Sequence, residues 1–149
     1  MTEFLETTVD KFIFRVATDR KYSHEGVWAK AQEDYVRIGL SDFLQQRSGD
    51  VAFADVKPVG TVVSFGEEVA KVETIKVTIQ LNSPSSGTVV EINPVMEDAP
   101  EAINQDPYAE GWLALIEPSG WEADSARLMD AQSYFEQMKV EAEEEAKKL

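Results

Sequence analysis

One lysine stands between two apolar, β-like runs in the stretch KVETIKVTIQLNSPSSG, residues 71–87, and covalent chemistry is most easily placed there. Lys76 is flanked by Ile75 and Val77 at what reads as a hairpin tip, although turns favour Gly, Asn, Asp and Ser. A lysine ammonium is a compact, strongly hydrated charge on a flexible stem. Acylation removes that charge and attaches a group that can be carried. A carrier lysine must be exposed to a modifying enzyme and must stand on a rigid support, and a hairpin tip meets both needs. Ile75 and Val77 would then form a pad for an attached apolar arm. The plain alternative is an ordinary surface lysine in a hairpin, and spacing alone leaves both open.

Other chemistry is scarce. His24 is the only histidine and has no second histidine or cysteine with which to complete a metal set or a catalytic triad, so a structural role is expected of it. The acidic clusters Glu67-Glu68 and Glu141 to Glu145 lack the spacing of a calcium loop, and neither phosphate-binding glycine pattern occurs. Nothing points to an enzyme. With no cysteine, disulfides, thiolate metal sites and a cysteine nucleophile are excluded.

The 149 residues fit one domain with extensions and can bury a core without staples. Fourteen Lys and Arg against 28 Asp and Glu give a formal charge of −14. That balance disfavours nucleic acid and anionic membrane as partners, since both need clustered positive charge. It suits docking onto basic surfaces, where charge steers encounter, and it equally serves solubility. No apolar run spans a bilayer. The start, MTEFLETTVDKFIFRVATDR, carries Glu3, Glu6 and Asp10 and resembles neither a signal peptide nor a transit peptide, so the chain is read as cytoplasmic.

The elements that must position Lys76 are short strands. Residues 1–20 form an N-terminal extension in which KFIFRVA alternates like a strand. Residues 21–118 form a β domain. Val27–Ala29 and Tyr35–Ile38 flank a Gln32-Glu33-Asp34 turn, and SDFLQQRSG is a short helix capped by Ser41 or Asp42, with Gly49 past its end. DVAFADV, two runs around Phe65-Gly66, VTIQLNS, GTVVEIN and GWLALIEP complete the strands. VTIQLNS sets Val77, Ile79 and Leu81 on one face. Regularly spaced short strands with turn signals indicate a barrel or sandwich. Residues 119–149 are rich in helix formers. Asp124 or Ser125 is the expected cap, Leu128, Ala131, Phe135, Met138 and Ala142 the packing stripe, and EAEEEAKKL a solvated, fraying end.

VETIKVTIQLNSPSSGTVVEIN resembles the lipoyl-bearing hairpin of the glycine cleavage H proteins and, more distantly, the lipoyl and biotinyl domains. NPVMEDAPEAINQDPYAEGWLALIEPS is similar to the H-protein segment with landmarks here at Pro100, Ile103, Asn104, Pro107, Tyr108, Gly111, Trp112 and Leu113. YSHEGVWAK and YVRIGLSDFLQQRSGDVAFADV resemble the family's opening strands and first helix. The resemblance covers roughly residues 21 to 135. It implies a mainly β, barrel-sandwich hybrid with a short helix and a C-terminal helix, and a covalent lipoate on Lys76. It further implies that Glu73, three positions before the lysine, and Gly60 and Gly87, around the hairpin arms, help a lipoate ligase or lipoyl transferase recognise the site. An ion pair for Glu73 and turn geometry for the glycines are the structural alternatives.

Two departures bear on the pathway. Gly26 and Val27 intervene where the family usually reads His-Glu-Trp, and Val77-Thr78-Ile79-Gln80 follows the lysine where small residues and an acid are usual. The two ends of the chain also run past the family's usual limits. These features resemble H-protein-like lipoate-binding proteins of a cytoplasmic, heterodisulfide-reductase-like sulfur-oxidising system. The first expectation is therefore a swinging arm serving that complex. The second is an H protein carrying an aminomethyl group between glycine cleavage enzymes. The third is an unmodified binding module.

Overall fold

Alternation of apolar and polar side chains in runs of five to seven residues builds most of the structure. The computed structural model describes residues 2–148. In chain order the elements are β1 (Phe4–Val9), β2 (Phe12–Ala17), β3 (Lys21–Tyr22), β4 (Val27–Gln32), β5 (Tyr35–Leu40), α1 (Asp42–Ser48), β6 (Val51–Val56), β7 (Val62–Val63), β8 (Glu68–Thr74), β9 (Thr78–Asn82), β10 (Gly87–Ile92), α2 (Val95–Asp98), α3 (Ala102–Gln105), β11 (Ala114–Pro118), α4 (Trp121–Ser125) and α5 (Ala131–Lys147). Six strands in the order β3-β4-β5-β11-β10-β7 form one sheet and β6-β8-β9 a second, while β1 and β2 pair with each other. The inner faces of the two larger sheets meet through Ile38, Leu40, Val69, Val72, Val89 and Ile116, all essentially without solvent contact. This is the barrel-sandwich hybrid with a short helix and a C-terminal helix that the resemblance implies. Among the described residues no helix is long and apolar enough to cross a membrane.

A second core lies outside the sandwich. Hairpin β1–β2 and α5 close over Tyr22, Trp28 and Phe43, burying Phe14, Val16, Tyr134 and Met138. Trp28 donates its indole N–H to the Pro107 carbonyl (3.0 Å), so the one polar atom of the buried ring is satisfied. Tyr22 and Tyr134 stack at 4.6 Å between centroids. The Tyr134 hydroxyl lies 2.9 Å from Ser41 Oγ, which also accepts the Leu44 N–H as the cap of α1. One hydroxyl pair thus ties the C-terminal helix to the helix that supports the lysine.

The C-terminal helix starts later than its composition predicts. Asp124 and Ser125 end the short α4 instead of capping a long helix, and Asp130 caps α5 by accepting the Ser133 N–H (2.8 Å). The interruption is a β-bridge in which Met129 and Tyr22 exchange backbone hydrogen bonds of 2.8 and 2.9 Å. Asp124 is buried and accepts the Ser86 N–H (2.7 Å), which fixes the β9–β10 loop. The buried stripe is accordingly Ala131, Tyr134, Met138 and Ala142, whereas Leu128 precedes the helix and Phe135 sits on its shoulder. Helical backbone continues through Lys147, with Glu143, Glu144 and Lys147 exposed to solvent as expected of this end, and Leu149 lies outside the described residues.

An ion-pair network pins the junction between the second core and β3. Buried Arg20 donates from Nε to Asp19 (2.7 Å) and lies over the Trp28 ring (4.6 Å), and Lys30 and Thr2 also reach Asp19. Partial burial works against the Asp19 charge, but the Arg20 hydrogen bond and charge, helped by Lys30 and Thr2, hold its pKa at about 2. The folded-state value lies below the unfolded one of about 3.9, so the carboxylate stabilises the fold above about pH 4. That contribution fades as pH falls from there through about 2. Thermal melts of Asp19→Asn should therefore show a lower Tm than the native chain at pH 7 and a shrinking gap towards pH 2. A gap independent of pH would contradict this assignment.

Candidate functional site

Hairpin β8–β9 carries Lys76 at its tip, and the tip is tighter than its apolar residues suggest. Thr74 N–H donates to the Val77 carbonyl (2.8 Å). The Thr74 hydroxyl accepts the N–H groups of Lys76 (3.2 Å) and Val77 (3.0 Å) while donating to the Ser48 carbonyl (2.7 Å). Neither Ile75 nor Lys76 has positive φ. The turn therefore needs no glycine or asparagine, which is why a β-branched residue is tolerated there. Ile75 and Val77 are 74% and 48% exposed on either side of the lysine.

The end of α1 buttresses this tip. The Ile75 N–H donates to the Asp50 carbonyl (3.0 Å). The stem of Lys76 lies along Gly49, where an added Cβ would stand 2.9 Å from Lys76 Cδ. Lys76 Nζ donates to the Arg47 carbonyl at 3.4 Å, a long bond at the electronegative pole of α1. Asn104 locks the shelf from beneath: its Oδ1 accepts the Val51 N–H (2.9 Å) and its Nδ2 donates to Gly49 and Gln45 oxygens (3.0 Å each). In the sequence Asn104 stands out only as a family landmark, because its partners lie more than 50 residues away and no local pattern records them. Lys76 is thus exposed, weakly held at its nitrogen and rigidly placed at its backbone.

A groove of about 690 Å³ runs from Lys76 along the hairpin. Val77, Ile79 and Leu81 of the hairpin form one wall, with burial increasing away from the tip. Phe43 and Leu44 of α1 and Phe14 of β2 form its floor. Arg47 crosses its end and pairs with Glu145 of α5 at 2.7 Å.

The other candidate residues divide between the sheets. Glu73 shares the lysine hairpin, exposed and opposite Thr78 and Phe53, and among the described residues no basic side chain comes within ion-pair distance of it. Gly87 belongs to the six-stranded sheet, and Gly60 lies in the turn before its strand β7. Gly60 donates its N–H to Val89 (2.7 Å), and Gly87 opens β10 opposite Val63 and Pro118. The two glycines lie at opposite ends of the β7–β10 pairing, away from the three-stranded sheet that carries Lys76 and Glu73. His24 is exposed and linked to α5 through Gln137, its Nδ1 at 3.0 Å and its carbonyl at 2.9 Å, a structural contact. No cluster of three or more potential metal ligands occurs among the described residues.

A family model described as "Glycine cleavage H-protein" matches residues 20–141. The chain is 42% identical over 119 residues to the glycine cleavage system H protein of Anaeromyxobacter sp. (strain K), covering 80% of this chain and 92% of that one. It is 39% identical over 127 residues to a glycine cleavage system H protein of Thermus thermophilus, covering 85% and 98%. Its structure resembles the crystal structure of a glycine cleavage system H protein from Mycobacterium marinum, with a TM-score of 0.74, 33% identity, and coverage of 80% and 96%.

Proposed function

Because the chain belongs to the glycine cleavage H-protein family, whose members carry lipoate on a lysine, we propose that Lys76 is its acylated residue and that it is the carrier protein of a glycine cleavage system. The observation that carries this reading is the buttressed tip. Lys76 is the exposed lysine whose backbone is clamped by Thr74 and whose nitrogen has a single long hydrogen bond. Acylation leaves that nitrogen one N–H, enough to keep the Arg47 contact while removing a charge from the groove mouth. The residues present fit a lipoyl arm, since the groove that begins at Lys76 is walled by Val77, Ile79, Leu81, Phe43 and Leu44. When attached, lipoate supplies a dithiolane that takes up an aminomethyl group reductively and yields it to the next enzyme. This chain's own residues would place the arm, and bond-breaking groups belong to the partner enzymes.

Glu73, with no ion-pair partner among the described residues and on the same hairpin, is proposed as a recognition contact for the lipoate ligase or lipoyl transferase, together with Gly60 in the turn before β7 and Gly87 at the start of β10. The altered residues after the lysine, Val77 to Gln80, are what favour the sulfur-oxidation reading. The relatives named above all carry the glycine cleavage name, and that weighs for the glycine cleavage reading. Incubating the lipoylated protein with a glycine decarboxylase and glycine, then measuring intact mass, separates the two. The aminomethyl increment is expected within minutes. Its absence, with decarboxylase active on another H protein, would return the sulfur-oxidising complex to first place.

A further inference from the structure

Strand β6 reads VAFADV, and strict alternation from the buried Val51 would turn Phe53 inwards with it. The ladder instead breaks between the two. Val51 pairs with Thr74 and Phe53 with Glu73, so Ala52 is an extra residue in β6. Beyond that bulge the faces are exchanged. Ala54 and Val56 turn to the core, while Phe53 and Asp55 turn to solvent. A phenylalanine is thereby left 53% exposed in the middle of a strand.

The exposed ring stands close to the tip. Phe53 lies directly across from Glu73, and Glu73 across from Thr78, so the three share the outer face of the β6-β8-β9 sheet. Val77, Ile79 and Leu81 point the other way, towards the groove. Cross-strand neighbours lie about 5 Å apart, and three residues of strand span about 10 Å at most, so Phe53 is near Lys76. An enzyme that docks on the tip covers about 800 Å² of the carrier, a patch roughly 30 Å across and wide enough to take in Phe53.

We infer that Phe53 is a recognition residue for the enzyme that acylates Lys76, its ring received by an apolar pocket beside a basic group that meets Glu73. The inference rests on the reading of Lys76 as the acylated residue. The occupant follows from where the reacting atom stands. In acylation by a ligase, the Lys76 amine attacks the carbonyl of a lipoyl adenylate. The amide C–N bond forms, the C–O bond to AMP breaks with its electron pair leaving on AMP, and the nitrogen gives up one proton. Because Nζ is itself the nucleophile, the active site closes on the hairpin tip and its flanking face. Enzymes that act later react at the dithiolane, at the far end of the arm, and need no such approach. Charge agrees, since Glu73 has no ion-pair partner among the described residues and offers an uncommitted carboxylate next to the ring.

The test uses the full-length unmodified chain with a lipoate ligase, lipoate and ATP, the product followed by intact mass over a range of carrier concentrations. Phe53→Thr, which keeps a β-branched residue in the strand, should raise KM for the carrier about three- to ten-fold at an unchanged kcat. Phe53→Leu, which stays apolar, should remain within about two-fold of the native chain. Val62→Thr, at an exposed position on the six-stranded sheet, should match the native chain. Tm and near-ultraviolet circular dichroism should be alike in all four proteins, so that an unfolded fraction does not inflate KM. Once lipoylated, all four should be reduced by dihydrolipoamide dehydrogenase and NADH at the same rate. A native KM for Phe53→Thr would overturn the inference and leave the carrier reading intact, and a defect confined to arm reduction would overturn it by giving the face to a later partner. A native chain left unmodified by a ligase active on another H protein would remove both readings.

Discussion

Lys76→Arg should abolish lipoylation and reduce carrier activity to background while leaving the fold unchanged. Arginine retains the positive charge at the end of α1 and can still reach the Arg47 carbonyl. The turn geometry is set by Thr74, whose hydroxyl binds backbone atoms alone, so the side chain at position 76 does not hold the hairpin together. Substitution at an exposed position of this kind changes stability by about 0.5 kcal/mol or less. A guanidinium, however, does not form the stable acyl amide that a lysine amine forms. Peptide mapping of residues 71–87 from the native host should show the lipoyl increment on the native chain and none on the variant. Intermediate transfer between partner enzymes should fall with it, at an unchanged Tm. Full transfer activity in the variant would eliminate every arm-based reading and favour an unmodified binding module.

The parts of the structure that are local in sequence were legible in it. Ser41 and Gly49 bracket α1 as their types suggest, and strands occur where the β-like runs between Val27 and Pro118 stand. Lys76 was legible for the same reason, since the strands before and after it leave only a short tip between them. What the sequence concealed depends on long-range pairing. The late start of α5 is dictated by Met129 bonding to Tyr22, a contact across more than 100 residues that overrides good helix propensity. Tyr134 escaped the apolar stripe because its hydroxyl marks it as polar, yet Ser41 satisfies that hydroxyl and the ring is fully buried. The groove is a further case. Its walls come from β2, α1, β9 and α5, and only the fold brings those four segments together.

The two glycines assigned to recognition should separate sharply on mutation. Gly87 has φ +153°, and a methyl built on it would run into the Glu117 carbonyl and the Ile116 side chain of β11. Gly87 pairs with Pro118 in the β10–β11 ladder, and the Ser119 N–H donates to the Ser86 carbonyl (3.0 Å) one residue away, which holds the two main chains close at this point. Gly87→Ala therefore combines backbone strain of about 1–2 kcal/mol with a clash against backbone that has little room to move. The expected loss is about 3 kcal/mol, or roughly 10 °C in Tm for a domain of this size. Gly60 has φ +96° with open space where a Cβ would go, so Gly60→Ala should cost about 1 kcal/mol, from the backbone alone. Thermal melts and lipoylation rates measured on both variants divide the two roles. A large fall in Tm for Gly87→Ala, with the folded fraction still lipoylated at low temperature, means that this glycine serves the β10–β11 contact. A native Tm with lost lipoylation would mean that it serves the modifying enzyme, and that β11 yields to a methyl group more readily than its backbone contact implies.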